Sequence, residues 1–543
     1  MGCITLIPHR LTRQWVEVWI LRHLASGHYT SGLCLKLSAW SFSFEKTVIS
    51  MSIVPEAPSS RIRQLNSCPV RKSGQYVLYW MISARRLQWN FGLQQAVHRA
   101  QTLNLPLVIL EPIGCRAKWS SVRFHHFVLE GMAEHHTLCQ ERGIAYHPYV
   151  EPEPGHGVGL VETYAQKAAV VITDDFPCYF LPEMVRTLGQ RIDVPLECVD
   201  SNGIFPMRAT DQVFTTAHAF RRFLQKNIKP YLSEFPVADP LADSIVSMEI
   251  PVHIVRKWSP ATSGLLNREA SALAQLPIDQ TVGPAAFRGG LKASQEAVAR
   301  FFKSRLSRYA DDRNNPEQEA ASGLSPYLHF GHVSAHEIFS RLAARESWKP
   351  EHLPEKASGS REGWWKMSPA AEAFLDELIT WREVGYNFTS HREDYDQYES
   401  LPAWARQSLE KHAGDHRPSL YDLHQLETAQ THDELWNAAQ RQLVREGRMH
   451  NYLRMLWGKK VLEWSLTPQQ AVETLIHLNN KYAVDGRNPN SYSGIFWVFG
   501  RYDRAWGPER PIFGTIRYMS SDNTARKLPV KDYLKRYAAS SRE

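Results

Sequence analysis

Short apolar segments alternate with helical segments from about residue 75 to residue 200. The apolar runs are rich in Val, Ile and Leu, which is typical of strands buried on both faces of a parallel sheet. This alternation predicts a doubly wound, Rossmann-like α/β domain. The predicted strands are Tyr76–Trp80, Leu105–Leu110, Ala145–Val150, Val170–Asp174 and Leu196–Val199. The predicted helices are Phe91–Leu103, Val122–Arg142 and Leu181–Gln190.

The pattern changes in the second half of the chain, where apolar residues recur only at helical spacing. An all-α domain is therefore predicted over residues 293–538, after an α/β domain over 73–205 and a connector over 206–292 that contains a helix at Ala217–Tyr231. The predicted helices of the all-α domain are Ser294–Tyr309, Ala371–Phe388, Asp433–Glu446, Met449–Trp464 and Pro468–Asn479.

Residues 1–72 are predicted to be a leader outside the folded domains. The first 50 residues are basic and poor in acids, but Glu17 and Arg22 interrupt the best apolar stretch, so a secretory signal is not indicated. A transit peptide, a disordered leader and an over-extended reading frame with its true start at Met51 are the alternatives.

Composition places the chain of 543 residues among globular proteins, with 43% hydrophobic and 22% charged residues. No apolar run reaches the ~18 residues of a membrane span. The seven cysteines include no CxxC pair, so neither a disulfide framework nor a zinc site is indicated, and no metal is expected. The formal net charge is +7, and residues 501–543 hold ten basic against five acidic residues, with Tyr502, Trp506 and Tyr518 among them. Such a segment suits nucleic acid, although a solvated basic tail fits equally well.

Two weak signals for an anion site lie in the second half. No glycine-rich phosphate loop follows the first predicted strand, so dinucleotide binding there is unsupported. Ser325 and Pro326 are a favourable N-cap and first helical residue, and Ser322 precedes them, so this helix start is a candidate phosphate site. Structural capping is the simpler interpretation, as it is for the capping box predicted at Ser334 and Glu337.

Glu377 and Trp381 are four residues apart on one predicted helix and share a face. A carboxyl group beside apolar and indole surface is kept neutral more readily, and then donates a hydrogen bond or a proton. An ordinary exposed glutamate beside a core tryptophan is the alternative.

Tryptophan is concentrated late in the chain, with ten of the 17 after residue 340. Trp457 and Trp464 are seven residues apart, on one face and ~10 Å apart along a helix axis. With Trp436 on the preceding helix they form a stepped aromatic chain or simply part of the core. Arg454 and Asp485 are candidate partners of a buried charged ligand or of each other.

Taken together, the ordered motifs resemble the photolyase/cryptochrome family, most closely the class II cyclobutane pyrimidine dimer photolyases. The resemblance runs from about residue 73 to 538 and is densest over 305–520. The motifs that carry it are Tyr309–Asn314, Ser322–Gly331, Glu377–Glu383, Trp436–Gln440, Met449–Lys460, Leu478–Tyr482, Asp485–Asn490 and Asp503–Gly507.

The resemblance implies an α/β antenna-type domain, a helical domain that binds FAD, and light-driven repair of cyclobutane pyrimidine dimers by an electron from photoexcited reduced FAD. It also implies a deoxyribodipyrimidine photo-lyase as the enzyme and UV-damaged DNA as the partner. An antenna chromophore, a deazaflavin or a folate, is a further expectation without a matching motif, and its absence is the alternative.

Site residues follow from the same resemblance. The FAD contacts implied are Tyr309, Ser322, Leu324, Ser325, Arg454, Asp485 and Asn479. The catalytic and dimer-lining residues implied are Glu377, Asn479, Trp381 and Trp497. Electron transfer during photoreduction is implied for Trp457, Trp436 and Trp464, with Trp457 nearest the flavin. Arg504 and Arg517, with Trp381 and Trp497, are implied to contact DNA.

Three other functions compete with dimer repair. A cryptochrome-type photoreceptor without repair is the first, a (6-4) photoproduct repair enzyme is the second, and a DNA-binding module with inactive chemistry is the third. Retention of Glu377, Trp381 and Trp497 argues against the first, and the lack of a histidine-pair motif argues against the second. We expect a monomer, in the cytoplasm of a bacterium or in the nucleus or an organelle of a eukaryote.

Overall fold

The computed structural model describes residues 53–243 and 245–539, so the leader prediction for residues 1–50 lies outside the described residues. The described N-terminal part contains a six-stranded sheet with the order β1-β6-β5-β2-β3-β4. All pairs are parallel except β1 with β6. The predicted doubly wound domain is therefore confirmed. The strands are β1 Ile62–Gln64, β2 Tyr76–Trp80, β3 Leu107–Ile113, β4 Ala145–Val150, β5 Ala168–Asp174 and β6 Leu196–Val199.

The leader prediction is wrong for residues 53–72. β1 pairs antiparallel with β6, from Ile62 opposite Val199 to Gln64 opposite Glu197. Val54 and Ala57 are buried against the sheet's helices, although the segment lacks apolar periodicity. A three-residue edge strand is too short to be recognised by alternation, and its stability depends on its partner strand.

Both faces of the central strands are buried, which explains their continuous apolar sequence. On β2, Leu78 and Trp80 lie in one hydrophobic core, and Val77 and Tyr79 lie in the other. Helices cover the two faces, as parallel sheets require. The helices of this part are Phe91–Leu103, Val122–Glu141, Leu160–Ala165 and Leu181–Gly189.

The connector packs into the helical part. Its predicted helix ends earlier than expected, at Asn227, and a 3-10 turn follows over Lys229–Leu232. Phe214 and Phe220 share one hydrophobic core with residues of the later helices. The remaining helices of the connector are Val252–Lys257, Ser263–Leu266 and Ala270–Leu273.

From residue 290 to residue 539 the described chain contains helices and no strand, so the predicted all-α part is confirmed. Within the described ranges, no helix combines the length and apolar character needed to cross a bilayer. The α-helices are Gly290–Arg300, Tyr309–Asp312, Ser325–His329, Ala335–Arg345, Pro369–Leu375, Arg382–His391, Ala403–Lys411, Leu423–Glu427, Glu434–Glu446, Asn451–Trp464, Pro468–Tyr482, Pro489–Val498, Ser521–Lys527 and Lys531–Arg536. Segments of π-helix occupy Phe301–Arg305 and Asp376–Trp381.

Arg123 joins the sheet part to the helical part. It lies on the helix that follows β3, and its guanidinium donates to the carbonyl oxygens of Tyr482 at 2.7 Å and Val444 at 2.6 Å. Those carbonyls end two helices of the helical part, where backbone acceptors have no partner within their own helix. The contact therefore satisfies helix ends and fixes the two parts against each other.

The connector is also held by a buried ion pair. Arg221 donates to both carboxylate oxygens of Asp376, at 2.7 and 2.9 Å, and each side chain is 8% exposed. Asp376 directly precedes Glu377 in the π-helical segment. The connector helix therefore braces the segment that carries the predicted catalytic carboxyl group.

Replacing Arg221 by Met is expected to lower the free energy of unfolding by about 3–5 kcal/mol, because the Asp376 carboxylate would stay buried without a partner. Equilibrium urea unfolding measures this loss. The double variant Arg221→Met/Asp376→Leu should recover most of it, and Arg222→Met on the exposed side of the same helix is the matched control. Equal stability of the Arg221→Met variant and the control would contradict the bracing role.

Candidate functional site

Glu377 and Trp381 lie in the π-helical segment Asp376–Trp381, inside the long helix predicted over residues 371–388. The expected regular α-helix is interrupted here by a wider turn, a feature frequently found at functional sites. Both side chains are partly exposed, whereas Asp376, Leu378 and Ile379 between and beside them are buried. The segment therefore presents a carboxyl group and an indole at one accessible edge.

The Glu377 carboxylate accepts a hydrogen bond from Nη1 of Arg313. Burial raises the pKa of Glu377 above its ordinary value, and the positive charge of Arg313 opposes this shift. An upward shift is the direction expected for a carboxyl group beside apolar and indole surface. Arg313 was missed as a site residue, although it lies inside the Tyr309–Asn314 motif.

Tyr309 lies beside this pair. Its ring is buried and packs edge-on against Phe301 and Phe374, at centroid distances of 5.5 and 5.6 Å. The guanidinium of Arg313 lies 5.5 Å from the centre of the Tyr309 ring. Burial, followed by the charge of Glu377, raises the pKa of Tyr309, so the phenol stays protonated. The structure thus brings Tyr309 and Glu377 together through Arg313.

Trp381 and Trp497 form a stacked indole pair. Their ring centroids are 4.4 Å apart and their planes differ by 21°. Trp497 comes from the helix Pro489–Val498, which packs against the helix that follows Trp381. Tyr502 meets Trp381 edge-on at 6.4 Å. Because Tyr502 is only 7% exposed, the suggestion that its ring faces nucleic acid is wrong, and it supports the indole pair instead.

A cationic and aromatic surface lies in the segment after Tyr502. Trp506 is 39% exposed, and the guanidinium groups of Arg504 and Arg517 lie 5.3 and 5.5 Å from its ring centre. The indole N–H of Trp506 donates to Asp503 at 3.0 Å. The two arginines predicted to bind DNA therefore lie against one exposed indole. Trp506 was not among the predicted DNA-binding residues.

The loop at Ser322–Ser325 differs in detail from the prediction. The helix begins at Ser325, but its N-cap is Leu324 and no side chain caps it, so the predicted capping by Ser325 is wrong. Leu324 is buried, whereas the Ser325 side chain is exposed. Farther on, Ser334 does cap its helix by accepting from His336 N–H, but Glu337 takes no part in a capping box.

One arginine contacts the start of this loop, and three further arginines lie near that one. Arg305 donates to the carbonyl oxygen of Ala321 at 3.3 Å and pairs with Glu319 at 2.8 Å. Burial lowers the pKa of Arg305, and repulsion from nearby arginines adds to this shift. Those arginines are Arg300, Arg448 and Arg308. The loop therefore has an exposed serine side chain at Ser325 and a direct contact with one arginine of this cluster.

Arg454 and Asp485 form an ion pair at 3.2 Å, so the predicted partnership is confirmed geometrically. Both side chains are partly exposed, at 27% and 17%. Asn479, on the helix Pro468–Tyr482, is 3% exposed, and its amide nitrogen donates to Asn480 at 3.2 Å. The ion pair of Arg454 and Asp485 and the buried Asn479 amide thus lie on the helix Asn451–Trp464, on the helix Pro468–Tyr482 and just after the latter.

The three predicted tryptophans are in contact. Trp436 lies between the other two, at 6.5 Å from Trp457 with planes 8° apart, and at 5.5 Å from Trp464 with planes 71° apart. All three are at most 2% exposed. The indole of Trp457 donates to Gln440 at 3.0 Å, and that of Trp436 donates to the carbonyl oxygen of Trp457 at 3.0 Å.

A cavity of about 810 Å³ opens at the carboxyl ends of β2–β5, between the sheet and the helical part. Most of its walls are apolar or aromatic. Arg487 enters it from the helical part, 3.4 Å from the centre of the Phe124 ring. Burial lowers the pKa of Arg487 to about 10. The sequence carries no signal for this cavity, because its walls come from many separate stretches of chain.

Two groups in this cavity wall are unsatisfied. Within the described residues, Nε and Nη2 of Arg487 and Nε2 of His125 are buried without a hydrogen-bond partner. Buried polar groups in proteins are nearly always paired with protein or ordered water, so these atoms are open to a ligand or to water. No described group of three or more His, Cys, Asp or Glu side chains is arranged to hold a metal ion.

No protein-family model matches the chain. The fold is similar to that of a bacterial class III photolyase from Agrobacterium tumefaciens, with a TM-score of 0.62 and 16% identity over 86% of each chain. It is also similar to a Synechocystis cryptochrome, with a TM-score of 0.58 and 15% identity over 85% of this chain and 88% of the other. At these identities the likeness shows the fold alone.

Curated sequences give closer relatives. A deoxyribodipyrimidine photo-lyase from Methanothermobacter thermautotrophicus is 32% identical over 479 residues, which cover 88% of this chain and 98% of the relative. One from Potorous tridactylus is 30% identical over 504 residues, covering 90% and 87%. One from Arabidopsis thaliana is 32% identical over 465 residues, covering 84% and 88%. With this identity sustained over nearly the whole of its relatives, the chain belongs to the deoxyribodipyrimidine photo-lyase family.

Proposed function

We propose that this protein repairs cyclobutane pyrimidine dimers in DNA with light, by electron transfer from photoexcited reduced FAD. The observation that carries this proposal is a partly exposed carboxyl group with a raised pKa, Glu377, on the same π-helical segment as Trp381, which stacks on Trp497. The names of the curated relatives support the same reaction.

The chain offers the donors that FAD needs. The exposed Ser325 side chain and the arginines around Arg305, which contacts the loop at Ala321, suit a diphosphate. The ion pair of Arg454 and Asp485 and the buried amide of Asn479 suit the polar edge of a flavin ring. When bound, FAD supplies the light-driven electron, and the protein supplies position and electrostatics.

Glu377 is proposed to donate a hydrogen bond to a carbonyl oxygen of the dimer. Burial raises the pKa of Glu377, which favours the protonated form that can donate, and the charge of Arg313 opposes this shift. A hydrogen bond to the carbonyl stabilises the negative charge that arrives with the electron, because a donor aimed at developing charge is most effective where water is excluded.

The indole pair is proposed to line the dimer pocket. Enzymes that act on a base inside a duplex, photolyases among them, first extrude it from the stack. Trp381 and Trp497 offer flat apolar surface to bases that have left the duplex in this way. A dimer stacks and pairs poorly, so its extrusion costs less than that of normal bases. This difference favours damaged sites over intact ones.

The surface of Arg504, Trp506 and Arg517 is proposed to contact the DNA around the lesion. Arginine neutralises phosphate charge, and an exposed indole stacks on an unpaired base. The three groups lie within one contact cluster, so they reach the same stretch of DNA.

The chain of Trp457, Trp436 and Trp464 is proposed to return the oxidised flavin to its reduced form, as in class II enzymes. Contacts of 6.5 and 5.5 Å give a continuous path from Trp457 towards the surface. A cryptochrome-type photoreceptor without repair has the same use for such a chain, so only a repair assay separates the two functions.

The cavity at the carboxyl ends of the strands is proposed to hold the antenna chromophore, a deazaflavin or a folate. Its volume of about 810 Å³ suits a flat cofactor. The orphaned nitrogens of Arg487 and His125 would pair with the oxygen atoms of such a ligand.

The first test is repair of a thymine-dimer oligonucleotide by the protein with reduced FAD, in blue light and in darkness. We expect thymine absorbance to recover only in the light. No recovery in either condition, with FAD bound and reduced, would favour the photoreceptor function.

Glu377→Gln is expected to lower the repair yield several-fold, and Glu377→Ala further, while flavin and DNA binding persist. Repair by the wild type should decline as pH rises through the pKa of Glu377, since the donor proton is then lost, and Glu377→Gln should not titrate there. The exposed Glu473→Gln is the matched control. An unchanged yield and pH profile for Glu377→Gln would remove Glu377 from the mechanism.

Arg504→Ala is expected to weaken binding to dimer-containing duplex by roughly 1–3 kcal/mol. If Arg504 pairs with a phosphate, the slope of log affinity against log salt should also fall by about one. Arg526→Ala, an exposed arginine in the same basic segment, is the control. Titration curves that match the wild type would exclude Arg504 from the DNA interface.

Arg487→Met is expected to abolish binding of the antenna chromophore, because the ligand loses its charged partner. Fluorescence titration with a deazaflavin and, separately, a folate measures this. Arg191→Met at the exposed rim of the cavity is the control. Failure of the wild type to bind either compound would contradict the antenna proposal while leaving the repair proposal intact.

A further inference from the structure

The hydrogen bonds of the tryptophan chain differ between its inner and outer members. Trp457 donates its indole N–H to the side-chain oxygen of Gln440 at 3.0 Å, and Trp436 donates its indole N–H to the main-chain oxygen of Trp457 at 3.0 Å. Gln440 is fully buried. Both acceptors are therefore neutral amide oxygens. The Gln440 side chain has no contact with water.

A hydrogen bond from the Gln440 amide nitrogen sets the orientation of the Gln440 amide group. Its nitrogen donates to the carbonyl oxygen of Glu427 at 3.4 Å, so its oxygen is the atom left to accept from Trp457. Gln440 lies four residues after Trp436 on the helix Glu434–Glu446, which places both side chains on one face of that helix. One helix thus supplies both the second tryptophan and the acceptor for the first.

The outer member has different surroundings. Trp464 packs against the exposed His432 at 5.4 Å and against Tyr421 at 5.2 Å. The Tyr421 hydroxyl lies 2.6 Å from Nδ1 of His432. The Lys460 ammonium group is 5.5 Å from the Trp464 ring and also pairs with Asp433 at 3.8 Å and Glu463 at 2.9 Å. Titratable groups and solvent therefore meet the chain at this end.

We propose that Gln440 is a positioning residue that keeps the oxidised Trp457 protonated, so that the chain releases a proton only at its outer end. The inference rests on the proposed photoreduction. An oxidised indole holds its N–H proton less tightly than a neutral one, and a basic acceptor would take it. A neutral amide oxygen is a very weak base, so the positive charge stays mobile.

The steps balance in electrons and protons. A bound oxidised flavin, when photoexcited, would take one electron from Trp457. Oxidised Trp457 then takes one electron from Trp436, and oxidised Trp436 takes one from Trp464. Oxidised Trp464 finally releases its N–H proton towards the exposed His432 or the water beyond it, which leaves a neutral indole radical at the outer end of the chain. Early proton loss at Trp457 would hold the oxidised site beside the flavin, where the electron returns.

The test replaces the acceptor with a base of the same shape, Gln440→Glu. Transient absorption after excitation of the oxidised flavin distinguishes protonated from deprotonated indole radicals and measures the yield of the long-lived radical. Infrared spectroscopy follows the ionisation of the introduced carboxyl group as pH rises. When that group is ionised, we expect the yield of the long-lived radical to fall several-fold and a deprotonated Trp457 radical to appear before Trp436 is oxidised. At low pH, where that group is neutral, the yield should return towards the wild-type value.

Gln442→Glu is the matched control, because Gln442 lies on the same helix and is also buried but bonds to His450 and Tyr533 instead of tryptophan. A second readout needs no light: in the holoprotein, the indole N–H resonance of Trp457 should shift and exchange faster in Gln440→Leu, which cannot accept the hydrogen bond. An unchanged resonance would overturn the assigned contact.

Two outcomes separate this inference from the proposal beneath it. If Trp457→Phe photoreduces at the wild-type rate, the chain itself is wrong and the inference falls with it. If Trp457→Phe blocks photoreduction but Gln440→Glu, with its carboxyl group ionised, matches Gln442→Glu in yield and radical type, the chain stands and the role of Gln440 is refuted.

Discussion

The segment from Asp376 to Glu383 is anchored by buried polar groups that must all be paired inside the protein. Asp376 is paired with Arg221, Arg382 donates to the carbonyl oxygen of Asn202 at 2.7 Å, and Glu383 accepts from the N–H groups of Ile204 and Phe205 at 2.6 and 3.1 Å. These partners belong to the connector and to the loop after β6. Because one side of the segment is fixed in this way, Glu377 and Trp381 are left at its accessible edge.

The anchors are themselves costly, because burial disfavours their charged forms. Burial raises the pKa of Glu383 to about 7, although two backbone donors and nearby arginines favour its charged form. A Cβ on Gly203 would lie 2.7 Å from a Glu383 oxygen, so glycine is required where the loop approaches. Burial also disfavours the charged form of Lys459, and it lowers the pKa of this residue to about 7. The Lys459 ammonium group donates to the carbonyl oxygen of Val498, the residue after Trp497. Both walls of the proposed dimer pocket therefore depend on buried charge held by backbone groups.

The proposed photochemical path uses packing that the core needs in any case. Trp436, Trp457 and Trp464 belong to one hydrophobic core with the helices that carry them. Their indole N–H groups distinguish them from ordinary core residues, because the partners of Trp457 and Trp436 are neutral and the surroundings of Trp464 are titratable. The proposed path therefore depends on the hydrogen bonds of these indoles as well as on their ring contacts.

The sequence by itself determined the layers, the helices and most of the chemistry-bearing motifs of this protein. Three strands have their predicted bounds, because continuous apolar runs are a local signal. The ordered motifs indicate the family from the sequence alone, without any knowledge of the fold. Spacing along one helix placed Glu377 with Trp381. Tertiary structure alone decided the edge strand β1, the burial of Tyr502, the pairing of Glu377 with Arg313 and the cavity around Arg487. Each of these depends on contacts between segments far apart in the chain, and the periodicity of a single segment carries no information about which distant partner will cover it.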